Sequence, residues 1–414
     1  PLVRKSLILQ TLRLPDQATV LLTVPFPGER NAVAPLSPTE WGRLAAWLQA
    51  RSLTPESLLS GSPPEALRGL EDDKITPARV AALLERGAAL GLVVDKWSRA
   101  GIWVMTRADA DYPSRLKRRL GAVSPAVLFG CGRRALLEGS GLAVVGSRNA
   151  TDDDLAYSRR LGQLAAGRGY TVVSGGARGV DEASMRGALE SEGTAVGVLA
   201  SDLLQVCTSA RFREAIARGD LVLVSATNPE ARFNVGNAMG RNKYIYCLAD
   251  AAVVVHSGTS GGTWSGAMEN LKKGWVPLWI KETTDPAAGN HPLLGTSGTR
   301  PLPADLAQFP FETLLVQDAP QPEPADAPAP PPVEPSLATT ATSPVEMMTF
   351  YELFVHKVRE LCWDKECRPD ELAETLKLHR TQLDIWLKQA VEDGHLVKLP
   401  KPVRYQVDRQ RRAF

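Results

Sequence analysis

The sequence predicts an α/β protein built on a Rossmann-like, doubly wound parallel sheet, preceded by a helical domain and followed by a winged-helix module. Two observations carry the central prediction. From Gly141 onward, short β-branched runs recur (LAVVGS, YTVVSGG, TAVGVLAS, LVLVSAT, AAVVVHS and VPLWIKE). Each is continuously apolar rather than alternating, as strands buried on both faces are. The stretches between them have the length of crossover helices, and strand–helix alternation of this kind winds a parallel sheet.

Composition and charge bound the rest. A chain of 414 residues is longer than one core commonly holds, and 44% hydrophobic with 23% charged residues is the make-up of a folded protein. No run approaches the roughly 18 apolar residues of a membrane-spanning helix. The opening PLVRKSLILQTLRLPD lacks a signal peptide's long apolar centre and small-residue cleavage site, so a cytoplasmic protein without membrane contact is expected. The net charge of +2 comes from 48 basic and 46 acidic residues, so affinity for nucleic acid has to come from local arrangement. The five cysteines, Cys131, Cys207, Cys247, Cys362 and Cys367, are odd in number and scattered, which fits reduced thiols. Cys362 and Cys367 lack a second pair, and His356 and His379 fall outside a ligand pattern, so neither a metal nor another cofactor is expected.

Residues 1–97 read as a helical domain. In SPTEWGRLAAWLQARS, Ser37 is placed to cap a helix with Trp41, Leu44 and Leu48 on one face, and TPARVAALLERGAALG repeats the pattern. Such helices serve as scaffold or partner surface, or touch a DNA backbone.

Residues 98–316 hold the sheet and the candidate site. The first strand ends in Gly146-Ser147-Arg148, and Thr151 with Asp152, Asp153 and Asp154 looks like the cap and acidic first turn of the next helix. Ligands of open α/β sheets bind beyond the carboxyl edges of the strands, where small residues let the backbone approach a phosphate. There Arg148 either faces the ligand or pairs with the aspartates. The second strand ends in Ser174-Gly175-Gly176-Ala177-Arg178-Gly179-Val180-Asp181, a flexible, anion-friendly loop that delivers a second cation, with Asp181 as a brace. Neither loop is a P-loop or a GxGxxG dinucleotide fingerprint, and no catalytic residue is assigned.

Two further segments mix cations with aromatics: Arg211-Phe212-Arg213 and Gly240-Arg241-Asn242-Lys243-Tyr244. Cations that track phosphates and rings that stack on bases are how single strands are held, so both segments are expected to line one groove, unless Phe212 and Tyr244 are core. Gly261, Gly262 and Thr263, after the strand ending at Ser257, form a third anion-friendly corner.

Residues 317–345 are rich in proline and alanine, contain no lysine or arginine, and read as a spacer. Residues 346–414 then show a helix-turn-helix pattern (Pro369 to Leu376, then Arg380 to Asp393) and a hairpin, together a winged helix closed around Leu372, Leu376, Leu383, Leu387 and Leu396. Arg380, Thr381, Gln382 and Lys388 on the second helix, with Lys398, Lys401 and Arg404 in the hairpin, are candidates for contact with duplex DNA or with a partner protein.

In this order the motifs resemble the DNA-processing protein A (DprA/Smf) family. Tyr112-Pro113 with Leu116, Val145-Gly146-Ser147-Arg148 with Thr151, Ser174 to Asp181, Arg186-Gly187-Ala188-Leu189 and Arg241-Asn242 carry the resemblance over most of the chain. It implies a non-catalytic protein that captures single-stranded DNA and assists loading of a RecA-type recombinase in transformation or recombination, acting as a homodimer. It also implies that Arg148, Arg178, Arg241 and Lys243 are the DNA-binding cations. The sequence departs from the family at Met185, where a histidine is usual, and lacks a tyrosine-proline-x-x-asparagine element between Cys207 and Arg213. These departures leave room for a specialised regulator or anti-phage defence component that acts through a partner protein. The glycine-threonine corner is also similar to that of cytokinin-activating phosphoribohydrolases, which would imply a nucleotide-derived ligand. In that reading Gly266 stands where their glutamate would, and Glu269 is the acid or base nearby.

Overall fold

The structure of the protein is a computed structural model, which describes residues 12–26, 33–60, 63–307, 309–315, 350–362, 366–376, 380–393, 395–399 and 403–407. The chain separates into two compact units, Pro1–Glu323 and Pro324–Phe414. The expected spacer at 317–345 lies outside the described residues.

In the first unit, helices α1 (Leu14–Thr23), α2 (Pro38–Gln49), α3 (Pro63–Ala66), α4 (Pro77–Leu84) and α5 (Gly87–Arg99) lead into strand β1 (Trp103–Thr106). Ser37 caps α2 as the sequence predicts: its hydroxyl accepts from the Glu40 N–H at 3.3 Å while the Glu40 carboxylate accepts from the Ser37 N–H at 2.7 Å. Trp41, Leu44 and Leu48 are buried. After α6 (Ser114–Leu120), β2 (Val127–Gly132) and β3 (Gly141–Val145), the chain alternates: α7 (Asp152–Ala166), β4 (Thr171–Ser174), α8 (Val180–Glu190), β5 (Ala195–Leu199), α9 (Leu203–Thr208), α10 (Ala210–Arg218) and β6 (Leu221–Ser225). It continues through α11 (Val235–Leu248), β7 (Ala251–Val254), α12 (Gly262–Lys273), β8 (Leu278–Lys281), α13 (Asn290–Leu294) and β9 (Thr299–Leu302).

The strands form one nine-stranded sheet in the order β1-β2-β6-β5-β4-β3-β7-β8-β9. It is parallel from β6 to β9, and β1 and β2 are antiparallel additions at one edge. Its strands β3, β5 and β7 are apolar throughout because both faces are covered. Leu142 and Val144 join a core that includes Trp41, Leu44 and Trp97 from the N-terminal helices, while Ala143 and Val145 join a second core with Leu116 and Ile245. The boundary expected at residue 97 therefore falls inside one compact unit, because α1–α5 share a core with one face of the sheet.

The second unit holds α14 (Phe350–Leu361), α15 (Pro369–Leu376), α16 (Arg380–Glu392) and the antiparallel hairpin β10 (Leu396–Leu399) and β11 (Arg404–Val407). A bridge from Cys367 to Tyr405 ties the segment before α15 to the hairpin. Leu372, Leu383, Leu387 and Leu396 are buried, as the sequence predicts, and Leu376 is partly buried against them. Among the described residues, no helix is long and apolar enough to cross a membrane.

Candidate functional site

The sheet reverses its winding between β3 and β7, and the loops leaving these two strands and β4 diverge there to leave a cleft of about 460 Å³. This is the position where open α/β sheets bind ligands. The cleft is lined by Gly146, Ser147 and Arg148 after β3, by Ala177 and Asp181 after β4, by Gly258, Ser260, Gly262 and Thr263 after β7, and by one face of α11. It thus unites the first loop, Arg241 and the glycine-threonine corner of the sequence prediction.

Local packing explains the loop shapes. The β3 loop passes so close to α8 that a Cβ on Gly146 would meet Val180 at 2.5 Å. Gly179, at φ +97°, presses the second loop against the first, where a Cβ would lie 2.5 Å from the Ser147 carbonyl oxygen. Arg178 is thereby held next to the loop that carries Arg148, and both side chains are exposed. Among the described residues neither has a carboxylate partner, although three aspartates stand nearby. Asp154 is otherwise engaged: it joins Thr151 in the predicted cap of α7 and accepts from Lys281 Nζ at 2.6 Å. Burial acts to raise its pKa, yet the bonds from Lys281 and Thr151 hold it below the ordinary carboxylate range.

Arg241 differs from the expected surface cation. It is 9% exposed and forms the floor of the cleft. Gly175 makes room for it, since a Cβ there would lie 1.7 Å from Arg241 Nη1 and 2.6 Å from Asp181 Oδ2. The Asp181 carboxylate accepts from the Gly175 N–H at 3.1 Å and so braces the loop. Burial lowers the Arg241 pKa from its ordinary value, Asp181 opposes that shift, and Arg148 adds to it. Burial raises the Asp181 pKa, with Arg241 and the backbone N–H groups acting against it. Among the described residues Arg241 Nε and Nη1 and the hydroxyl of Tyr246, another cleft-lining residue, have no hydrogen-bond partner.

Other expected site residues lie elsewhere. Ser174 is fully buried, and its hydroxyl donates to the Val144 carbonyl at 2.6 Å. Gly176 lines a different groove, of about 710 Å³, with Arg211 and Phe212. The expectation that Arg211-Phe212-Arg213 shares one groove with Arg241 is therefore corrected: α10 packs on the face of the sheet that carries the N-terminal helices, whereas Ile245 and Tyr246 of α11 belong to the opposite core. Arg211 pairs with Glu182 at 2.7 Å, and Arg213 is exposed. Lys243 sits 5.4 Å from the Tyr244 ring centroid and does not line the cleft. Gly261 is the exposed residue preceding α12, at φ +91°, and no side chain caps that helix. Glu269 does not line the cleft, and Asp181 is the one carboxylate that does among the described residues.

In the second unit, Arg380, Thr381 and Gln382 open α16, but their side chains, like all of Lys401, lie outside the described residues. Lys388 and Lys398 are exposed, and Arg404 is half-buried and paired with Glu366. Among the described residues no group of three or more His, Cys, Asp or Glu is placed to hold a metal ion.

Sequence reasoning missed Phe233 and Tyr246, and it placed Asn242 in the groove segment without its tie to α12. Phe233 is 52% exposed at the lip of the cleft, with the Arg148 guanidinium 5.4 Å from its ring centroid. Its signal was an aromatic between Arg232 and Asn234, just before a helix that the Asn234 side chain caps. Asn242 Nδ2 donates to the Gly262 carbonyl at 2.9 Å and ties α11 to the first turn of α12.

Residues 103–299 match the family profile described as DNA recombination-mediator protein A. The chain is 36% identical over 184 residues to a putative DNA processing protein DprA of Mycobacterium tuberculosis, a match covering 41% of this chain and 45% of that one. It is 27% identical over 201 residues to the DNA processing protein DprA of Bacillus subtilis, covering 48% and 67%. The chain thus spans less than half the length of the M. tuberculosis relative. The crystal structure of DNA processing protein A from Streptococcus pneumoniae aligns with a TM-score of 0.51 at 17% identity, over 64% of this chain and 95% of that one, a likeness of fold.

Proposed function

We propose that the protein is a DNA-binding protein of the DprA/Smf kind, which captures single-stranded DNA at the β3/β7 switch point and acts in DNA processing. One observation carries this reading: Arg148, which lines the cleft, and Arg178, on the loop packed against it just outside the lining, are both exposed without carboxylate partners among the described residues, and the exposed Phe233 ring lies beneath Arg148. Cations follow the backbone of a single strand while an aromatic face receives a base, and such stacking is worth about 1–3 kcal/mol per base. The match over residues 103–299 and the DprA relatives support the same role. No carboxylate other than Asp181 faces the cleft among the described residues, and Asp181 accepts from the Gly175 N–H.

The reading extends to the rest of the molecule. Three helices and a hairpin fit a winged helix in the second unit, with Lys388 and Lys398 on its surface for duplex DNA or a protein partner. Homodimerisation and transfer of the coated strand to a RecA-type recombinase in the cytoplasm complete it.

The test is fluorescence anisotropy of a labelled oligonucleotide, single-stranded and duplex, across a salt series. Arg148→Ala and Arg178→Ala should each weaken single-strand binding and flatten the log K against log salt slope by about 0.7 for each phosphate no longer neutralised. Unchanged affinity and slope in both variants would remove this site from consideration.

A further inference from the structure

The closed end of the cleft asks for more than a passing strand. Arg241 is nine-tenths buried there, and its Nε and Nη1 have no hydrogen-bond partner among the described residues. The Tyr246 hydroxyl, from a residue 1% exposed and five positions further along α11, is equally unpartnered among the described residues. A buried polar group without a partner costs about 1–3 kcal/mol, more when charged, so these donors are matched to something that enters the cleft. Opposite them, the first turn of the twelve-residue helix α12 brings Gly262 and Thr263 to the same cleft, with no side chain capping its N–H groups. Asn242 fixes that turn in place through its bond to the Gly262 carbonyl. A guanidinium, a phenol and a helix N-terminus lining one cleft have the chemistry of a phosphate site.

We infer that this closed end takes a phosphate monoester carried by a nucleoside, either the 5′ end of a strand or a free mononucleotide. The inference rests on the cleft being the ligand site proposed above. Three observations favour a terminal phosphate over an internal one. The cleft volume, about 460 Å³, is that of a small-molecule pocket rather than a strand-length channel. The donors are buried, Arg241 at 9% and Tyr246 at 1% exposure, so a phosphate reaches them more readily at a chain end than with a nucleotide on either side. A monoester carries roughly −1.5 to −2 charges at neutral pH, which suits a site where Arg241, Arg148 and the α12 dipole face one carboxylate that already accepts from the Gly175 N–H. Ala238, Met239 and Ile245 supply an apolar wall for the base.

The experiment uses the full chain and two short oligothymidylates labelled at the 3′ end, one with a 5′ phosphate and one with a 5′ hydroxyl. Titration calorimetry with thymidine 5′-monophosphate, thymidine and inorganic phosphate runs alongside. The 5′-phosphorylated strand should bind about tenfold tighter or more, the worth of one charge-assisted hydrogen bond. Tyr246→Phe, which removes one oxygen and keeps the ring, should shrink that ratio, and Arg241→Met should abolish it. If thymidine 5′-monophosphate binds, thymidine does not, and the two strands bind equally or not at all, the site stands and its source is a free nucleotide. Equal strand affinities with no binding of the monophosphate would overturn the inference and leave the strand-capture reading intact. Loss of strand binding altogether with the monophosphate still bound would do the reverse.

Discussion

Gly175 shows how a residue that is plain in the sequence can hold a role that is not. The glycine-rich loop is legible as anion-friendly, on the expectation that glycines let the backbone approach a ligand. Two of its glycines instead answer to protein neighbours: Gly175 leaves space for the Arg241 guanidinium, and Gly179 lets two loops touch. Arg148 and Arg178 are readable as cations at a strand edge because strand ends and loop composition are local facts. The burial of Arg241 is not local, since it depends on α11 crossing beneath a loop sixty-odd residues earlier in the chain. Gly175→Ala therefore provides a sharp test. Its methyl group would displace the guanidinium from the cleft floor, and overpacking of this kind costs about 1–3 kcal/mol. We expect urea denaturation to show that loss and calorimetry to show phosphate-ligand binding weakened as far as in Arg241→Met. A variant that binds as the parent does would mean that Arg241 can leave its place without consequence.

Helix α7 is held from both ends of its polar first turn. Thr151 and Asp154 close the cap, and Asp154, 4% exposed, is bonded to Lys281 of β8 and lies 3.2 Å from His256 Nδ1. The cap could be read from Thr151 and the aspartates, but the tie to β8 could not, because the partner is 127 residues away. Removing one member of a buried ion pair typically costs about 3–5 kcal/mol, and Asp154→Ala should fall in that range by urea denaturation at neutral pH. The pH dependence follows from the direction of the shift. The native carboxyl titrates below its unfolded value of about 3.9, so its contribution is complete above that pH and lost as pH falls through the lower native value. The stability gap between parent and variant should hold from neutrality to about pH 5 and close in acid. A gap independent of pH would mean that the carboxylate is not the stabilising form. Elsewhere the fully apolar strands were legible and three others were not. β1 has only four residues, β2 carries two glycines, one of which, Gly130, makes room for the Trp103 ring, and β9 carries Pro301, which suits an edge strand.

For the first unit as a whole, the decisive feature is that the helices before β1 and one face of the sheet bury a single core. Each helix displays an apolar stripe in the sequence, but a stripe does not say what covers it, which is why a separate N-terminal domain was the natural expectation. Trp97 makes the join visible. It is fully buried at the end of α5, its ring meets Phe129 of β2 edge-on with centroids 5.0 Å apart, and its Nε1 donates to Glu230 at 3.3 Å. Lys96 reaches the same carboxylate at 2.5 Å, so α5 is fastened to the segment after β6 as well as to the sheet. Truncating a buried tryptophan costs about 3–5 kcal/mol, the lost transfer energy plus the cavity left behind. Because that cavity would open in a core shared by helices and sheet, Trp97→Ala should shift the melting of both together. Calorimetry would then show one transition for this unit, moved to lower temperature as a whole. If the variant instead splits the transition, with the helices melting early while the sheet keeps its parent midpoint, the N-terminal segment is energetically independent, and the strand-binding cleft owes its shape to the sheet alone.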